Sequence, residues 1–298
     1  MRSPAAALSA PDAAPHVVII RSGERPPAAE LIRRGTAELL SHVPLIRYLI
    51  GAELKRTHAD TAIGRLWWAI DPLVMMAIYL VLFEIIRTTK TPDFPLFLFS
   101  AILPWKWFST TLAEATVSVR TRTALIKQLQ FPKIVLPAAA VGAGSVSFLF
   151  GLLILVPVAL PFAHRLSWTV LLLPLIAAVQ LLLTFGLALL VSAANAFYAD
   201  VQNVLTHVLR ILFYLTPILW SLDTLAPESR LRDVLSLNPM APIVQAYRAI
   251  IWGTKDVAHG TLPDFTALGL VAVFSVGLIA LAMVFFKRLE RSFARVLS

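Results

Sequence analysis

The sequence predicts an all-α membrane protein: six transmembrane helices, an N-terminal interfacial helix, and a re-entrant outer segment between spans five and six. Three observations carry that prediction. Of 298 residues, 58% are apolar and only 14% charged, with a mean hydropathy of +0.78, whereas soluble domains carry about 25% charged residues. The runs 134–163, 166–199 and 265–286 contain no Asp, Glu, Lys or Arg, and each exceeds the roughly 20 residues needed to cross a hydrocarbon core of about 30 Å. Lys and Arg are also shared unequally between alternate loops, as in chains that cross a bilayer repeatedly.

Residues 1–30, with Pro4, Pro11, Pro15, Pro26 and Pro27 among many alanines, read as a flexible cytoplasmic tail. Only Ala5, Ala6, Ala7 and Leu8 separate Arg2 from Pro11 and Asp12 as an apolar stretch, too short for a secretory signal, so the N-terminus is expected to be retained. Residues 31–65 form an interfacial amphipathic segment, and a six-span domain follows over 66–286. Its first span, 66–86, holds Asp71 and Glu84. The second, 94–119, holds Lys106 and Glu114. Charges near span ends can reach the interface, which leaves Lys106 and Asp71 to be explained.

The basic loop 120–137 precedes the third span. There Gly142, Gly144 and Gly151 predict close helix packing, as small residues do in bilayers. The fifth span, 204–222, carries His207 and Arg210. Segment 235–252 is broken by Pro239 and Pro242 and carries Arg248, which fits a re-entrant helix better than a crossing. After the sixth span, residues 287–298 form a cytoplasmic C-terminus.

With six spans both termini share a side, and 18 of the 26 Lys and Arg lie there; the basic side is predicted to be cytoplasmic. The net charge of +9 thereby becomes a property of loops, and nucleic acid drops out as a partner. Trp105, Trp107, Trp168, Trp220 and Trp252 are then expected near the outer interface, and Trp67 and Trp68 near the inner one.

The chain has no cysteine, which excludes thiolate metal, redox and nucleophile chemistry. It lacks a phosphate-binding loop, an H-E-x-x-H helix and a G-x-S-x-G elbow. The six histidines include no i, i+4 pair, and no metal site or cofactor is predicted. There is no internal repeat, and few carboxylates lie within spans, so a proton or sodium relay has little to run on. The polypeptide is expected to catalyse nothing by itself.

Three segments carry a resemblance. Residues 45–72 run from a basic helix with Arg47, Lys55 and Arg56 through a glycine break to Ile63, Gly64, Trp67 and Pro72. Residues 94–137 hold Pro104, Trp105, Trp107 and Phe108, then Lys127, Phe131, Pro132 and Pro137. A third stretch gives Tyr198, Ala199 and Asp200, then Leu215, Thr216, Pro217 and Ile218, then Asn238, Pro239 and Arg248. In this order they resemble the membrane subunits of ATP-binding-cassette polysaccharide exporters, the type 2 permeases that move O-antigen, capsule, teichoic acid or galactan. The Arg-Tyr-Lys element usual before the first span is replaced by Lys55, Arg56, Thr57 and His58.

The resemblance implies roles. Loop 120–137 sets Arg120, Arg122, Lys127 and Lys133 around Leu125, Ile126 and Leu129, an amphipathic helix closed by Phe131 and Pro132. In the family it couples to the ATPase, which assigns Arg122, Leu125, Ile126, Lys127, Phe131 and Pro132 to coupling. The substrate would be a glycan on a polyprenyl diphosphate, and Arg47, Lys55, Arg56 and Arg65 are the candidates to meet the diphosphate. The same residues would also attract anionic inner-leaflet lipids. A sliding sugar chain needs aromatic faces, for which Phe83, Trp105, Trp107, Phe108, Phe197, Tyr198, Phe213 and Tyr214 are candidates, although aromatics at helical spacing also pack helices. Asn238, Pro239, Tyr247 and Arg248 would form an outer gate.

The implied assembly is a homodimer with two copies of a separate ABC ATPase that binds ATP and magnesium, in the bacterial plasma (inner) membrane. Two rivals remain: a type 2 permease for a drug or small lipid, and a membrane-embedded glycosyltransferase. The latter would need acidic residues clustered at one membrane face, which Asp71, Glu84 and Glu114 do not supply in sequence.

Overall fold

A computed structural model describes residues 26–57, 64, 67–86, 93–221, 235, 237–253 and 259–296, apart from the side chains of 57, 68–69, 83–86, 291 and 294–296. Arg65, Ile63 and nearly all of the tail lie outside the described residues, as does the side chain of Phe83. Every element among the described residues is helical. In chain order they are α1 (Ala28–Ser41), α2 (Val43–Thr57), α3 (Trp67–Ile86), α4 (Phe94–Val117), α5 (Thr123–Gln128), α6 (Val135–Ala159), α7 (Leu173–Phe197), α8 (Val201–Leu215), α9 (Met240–Ile251) and α10 (Phe265–Val296).

Prolines and short polar side chains set the boundaries. Pro44 occupies the first turn of α2, where its missing N–H has no helical partner to lose, and it prevents α1 from running straight on. Asp264 Oδ1 accepts from the backbone N–H groups of Thr266 and Ala267 at 2.9 and 3.0 Å, capping α10. Asn238 Oδ1 accepts from the Met240 N–H at 3.0 Å at the start of α9.

Among the described residues, three helical stretches are long and apolar enough to cross a membrane: Val135–Arg165, Trp168–Phe197 and Phe265–Glu290. The first two include 3₁₀ turns at Leu160–Arg165 and Trp168–Leu172. These stretches, with α4, build the bundle: α7 packs against α10, and α4 against both α6 and α7. The expected glycine seams are present. A side chain on Gly142 would meet Ile50, one on Gly144 would meet Thr111, and one on Gly151 would meet Leu103.

Two expectations need correction. The fifth apolar segment stops as a helix at Leu215 rather than reaching 222, because Thr216 turns extended just before Pro217. At about 1.5 Å per residue, α8 is about 22 Å long. Pro104 lies inside the continuous helix α4, and its carbonyl accepts from Gln180 Nε2 of α7 at 2.8 Å. Because α4 starts at Phe94, Trp105 and Trp107 lie about 17–20 Å along it, near its middle and buried, not at an interface.

The core divides in two along the bundle. One cluster gathers Leu49, Val119, Ile126, Val135, Leu136, Ala193, Phe286 and Phe293 at the end that carries α1, α2 and the basic loop. The other runs through the middle to the opposite end, around Phe97, Trp105, Trp107, Phe148, Tyr247 and Trp252. We call these the basic end and the opposite end.

Candidate functional site

At the basic end the loop between α4 and α6 is held by contacts with three other helices: side chains of α2 and α10 and a backbone carbonyl of α7. Glu53 of α2, 6% exposed, accepts hydrogen bonds from Arg122 Nη2 and, on its own helix, from Arg56 Nη2 at 2.5 Å and Nε at 3.2 Å. The Arg56 guanidinium is pushed above its ordinary pKa, first by the hydrogen bond to Glu53 and then by that carboxylate's charge. At the other end of the loop, Glu290 Oε1 of α10 accepts from the Lys133 N–H at 2.5 Å. Lys287 Nζ donates to Glu290 and, at 2.5 Å, to Glu38 of α1. Arg120 reaches the Asn195 carbonyl of α7 at 3.5 Å.

The residues expected in the coupling loop divide by direction. Ile126 is buried in the basic-end core, with Phe131 packed against that core and Leu125 half-buried. Lys127 and Leu129 are exposed, Leu129 by 55%. Ile126 therefore shapes the loop from within, while Lys127 and Leu129 face outward. Pro132 leads into α6, its carbonyl accepting the Val135 N–H at 3.3 Å. Lys133 Nζ lies 5.7 Å from the Phe131 ring centroid.

Of the basic residues expected before the first span, Arg47 and Lys55 are exposed on α2 and have no carboxylate partner among the described residues. Arg56 is exposed but bound to Glu53. Arg65 lies outside the described residues.

In the middle of the bundle Lys106 Nζ lies 2.7 Å from Asp71 Oδ2, joining α4 to α3. Alongside runs a cleft of about 110 Å³ between α3, α4 and α6, lined by Asp71, Lys106, Trp107, Thr110, Glu114 and Ser147 among others. The aromatic candidates fall into three groups. Trp105, Phe108, Phe213 and Tyr214 form one cluster with Tyr79, in which Tyr79 and Phe213 stack at 5.7 Å. Trp107 stacks on Phe148 at 4.2 Å, and Phe148 meets Tyr247 edge-on at 6.2 Å. Phe197 packs on Phe293 at the basic end, beside the exposed Tyr198. Only Tyr198 and Tyr214 of the described candidates present largely exposed rings.

At the opposite end α9 is fastened at both ends. Asn238 Nδ2 donates to Thr216 Oγ1 at 2.7 Å, and Pro239 occupies the position just before the helix. Arg248 is buried: its guanidinium lies 3.7 Å from the Phe97 ring centroid and donates to the carbonyls of Ile218 at 2.9 Å and Trp220 at 3.3 Å. That charge is turned into the fold, away from the outside. Arg165 Nε donates to Asp93 at 2.7 Å while its guanidinium lies over Trp252. Burial pushes the Asp93 carboxyl up, but the hydrogen bonds and charges of Arg165 and His164 outweigh it and hold the pKa below the ordinary value.

Glu53, Glu290, Lys287, Asp93, Arg165 and Phe148 belong to these arrangements and escaped the sequence reading. Glu53 left one signal, its i, i+3 spacing from Arg56. No group of three or more His, Cys, Asp or Glu that could hold a metal occurs among the described residues.

Residues 44–252 match the family model described as ABC-2 type transporter. The chain is 30% identical over 257 residues to the O-antigen export system permease protein RfbA of Myxococcus xanthus, covering 86% of this chain and 96% of that one. A protein of the same name from Klebsiella pneumoniae is 27% identical over 256 residues, 85% of this chain and 95% of that one.

Proposed function

The chain belongs to the ABC-2 type transporter family, and on that premise we propose that it exports a lipid-linked polysaccharide of the O-antigen kind. Membership makes it a membrane-embedded permease, not an enzyme, that works with an ABC ATPase. The observation that carries the substrate class is the match to O-antigen export permeases along nearly the whole chain.

In this reading α3, α4, α6, α7, α8 and α10 are the six spans, α9 is the re-entrant outer segment, and the basic end is cytoplasmic. The excess of Lys and Arg at that end supports the orientation. Two copies of the chain bind two ATPase subunits. The apolar faces left exposed on α3 (Val74, Ile78, Val81) and α8 (Val204, Val208, Ile211) suit lipid or a second copy. The coupling loop meets the ATPase through Lys127 and Leu129. The exposed Arg47 and Lys55 meet the carrier diphosphate, which a cationic side chain pairs with directly. ATP hydrolysis belongs to the partner. This chain orients the diphosphate, provides the path, and converts movement of the loop into movement of helices.

Deletion of the gene is expected to strand lipid-linked glycan on the cytoplasmic side of the plasma membrane. Normal surface glycan in a deletion strain with no second exporter would contradict the reading.

A further inference from the structure

We infer that Glu53 is a positioning residue that gears the substrate-facing helix α2 to the coupling loop. The inference rests on the exporter reading above and adds a route by which the diphosphate and the ATPase sense each other.

Glu53 is a buried carboxylate contacted by two guanidinium groups, and the two differ in what they connect. Arg56 lies on the same helix, 63% exposed, and binds nothing distant to it. Arg122 lies 69 residues away, in the 3₁₀ turn that leads into α5, and its side chain is 18% exposed. Shelter from water strengthens such a pair. It also raises the cost of separating it, because a buried carboxylate would lose its partner.

The placement of the contact gives it mechanical meaning. The stretch 122–133 is held at one end by Glu53 and at the other by Glu290, which takes the Lys133 N–H. Between those points Ile126 is seated in the core. The Glu290 anchor leads to α10 and, through Lys287 and Glu38, to α1. The Glu53 anchor leads to α2, which presents the exposed Arg47 and Lys55. When the ATPase displaces the loop, α2 must follow or the buried pair must break. Following moves Arg47 and Lys55, so the basic side chains take one position per nucleotide state. Coupling between binding sites is reciprocal, so glycan diphosphate held on α2 biases the loop by the same amount.

The test uses the full complex of permease and ATPase in lipid vesicles, with the organism's own lipid-linked glycan as probe and rates normalised to membrane-inserted permease. Glu53→Gln and Arg122→Gln each lower export and glycan-stimulated ATP hydrolysis about tenfold, with the KM for ATP unchanged. The double variant is no worse than either single one, since both remove one contact. The chain has no native cysteine, so Glu53→Cys with Arg122→Cys introduces its only two thiols. A Glu and an Arg side chain together span more than a disulfide, so a reducible bifunctional thiol reagent joins the pair. Joining restores export, and reductant abolishes it again.

Wild-type export by Glu53→Gln, additive losses in the double variant, a reagent that fails to join the thiols, or a joined pair that stays inactive each overturns the inference. A wild-type complex that neither exports glycan nor responds to it strikes the exporter reading instead.

Discussion

Lys106 Nζ lies 2.7 Å from Asp71 Oδ2, so α3 and α4 neutralise each other's charge, and in the proposed six-span arrangement either charge alone would be costly in the bilayer. Replacing Lys106 by Met should lower thermal stability in detergent more than replacing both Lys106 by Met and Asp71 by Asn. The coupling energy should be about 0.5–1.5 kcal/mol, the range that double-mutant cycles give for polar contacts between membrane helices. The readout is a double-mutant cycle of unfolding midpoints. Additive losses would show that the two side chains do not depend on each other.

The seam between α4 and α6 should discriminate between glycines. A methyl group on Gly144 would collide with the fully buried Thr111, whereas one on Gly277 meets nothing within 4 Å. Gly144→Ala should cost about 1–3 kcal/mol by overpacking, and Thr111→Ala should recover part of it. Gly277→Ala should be neutral or stabilise by up to about 1 kcal/mol through helix propensity. Thermal melts of the three variants check the order.

Asp93 predicts an acid limb in stability. Its pKa is held below the ordinary value, so its contribution is complete above about pH 4 and is lost as pH falls through the lowered value. Asp93→Asn should cost about 1 kcal/mol at neutral pH, allowing for water reaching the carboxylate, and should remove this limb. Asn is the clean substitution because residue 93 has φ 50°, which Asn tolerates. Melting temperature against pH for the two proteins is the measurement, and an acid limb unchanged in Asp93→Asn contradicts the assignment.

Within the coupling loop, direction separates folding from docking. Ile126→Asp should reduce the amount of inserted protein, because it buries a charge in the basic-end core. Leu129→Asp should leave insertion and melting unchanged while abolishing co-purification with the ATPase, since Leu129 is 55% exposed. Equal loss of insertion in both would refute the division.

Much of the bundle was legible because a bilayer imposes length and composition directly: the runs 134–163, 166–199 and 265–286 appear as helical stretches long and apolar enough to cross, with nearly those bounds. The glycine seams were legible for the same reason, since close approach needs missing side chains. The early end of α8 was readable in principle, because the residue before Pro217 is disfavoured as helix. Pro104 shows the opposite, lying inside the continuous helix α4. Membrane bundles tolerate a proline inside a helix; the carbonyl that loses its helical donor is that of Ser100, and Gln180 adds a separate bond to the carbonyl of Pro104 itself.

The site was less legible. Arg56 was read as a candidate for the carrier diphosphate and Arg248 as part of an outer gate; their partners in the fold, Glu53 for Arg56 and Phe97, Ile218 and Trp220 for Arg248, were not foreseen. Lys287 finds Glu38 across 249 residues, a pairing that no local spacing announces.

The most direct test of the central claim is reconstitution. Permease and partner ATPase are placed in sealed vesicles with polyprenyl-diphosphate-linked glycan on the ATPase side, and a membrane-impermeant lectin reports glycan on the other. The account predicts lectin binding that rises with time only when ATP is supplied and that is lost without the permease. Glycan that stays on the ATPase side while ATP is hydrolysed, or that crosses equally well without ATP, would contradict it.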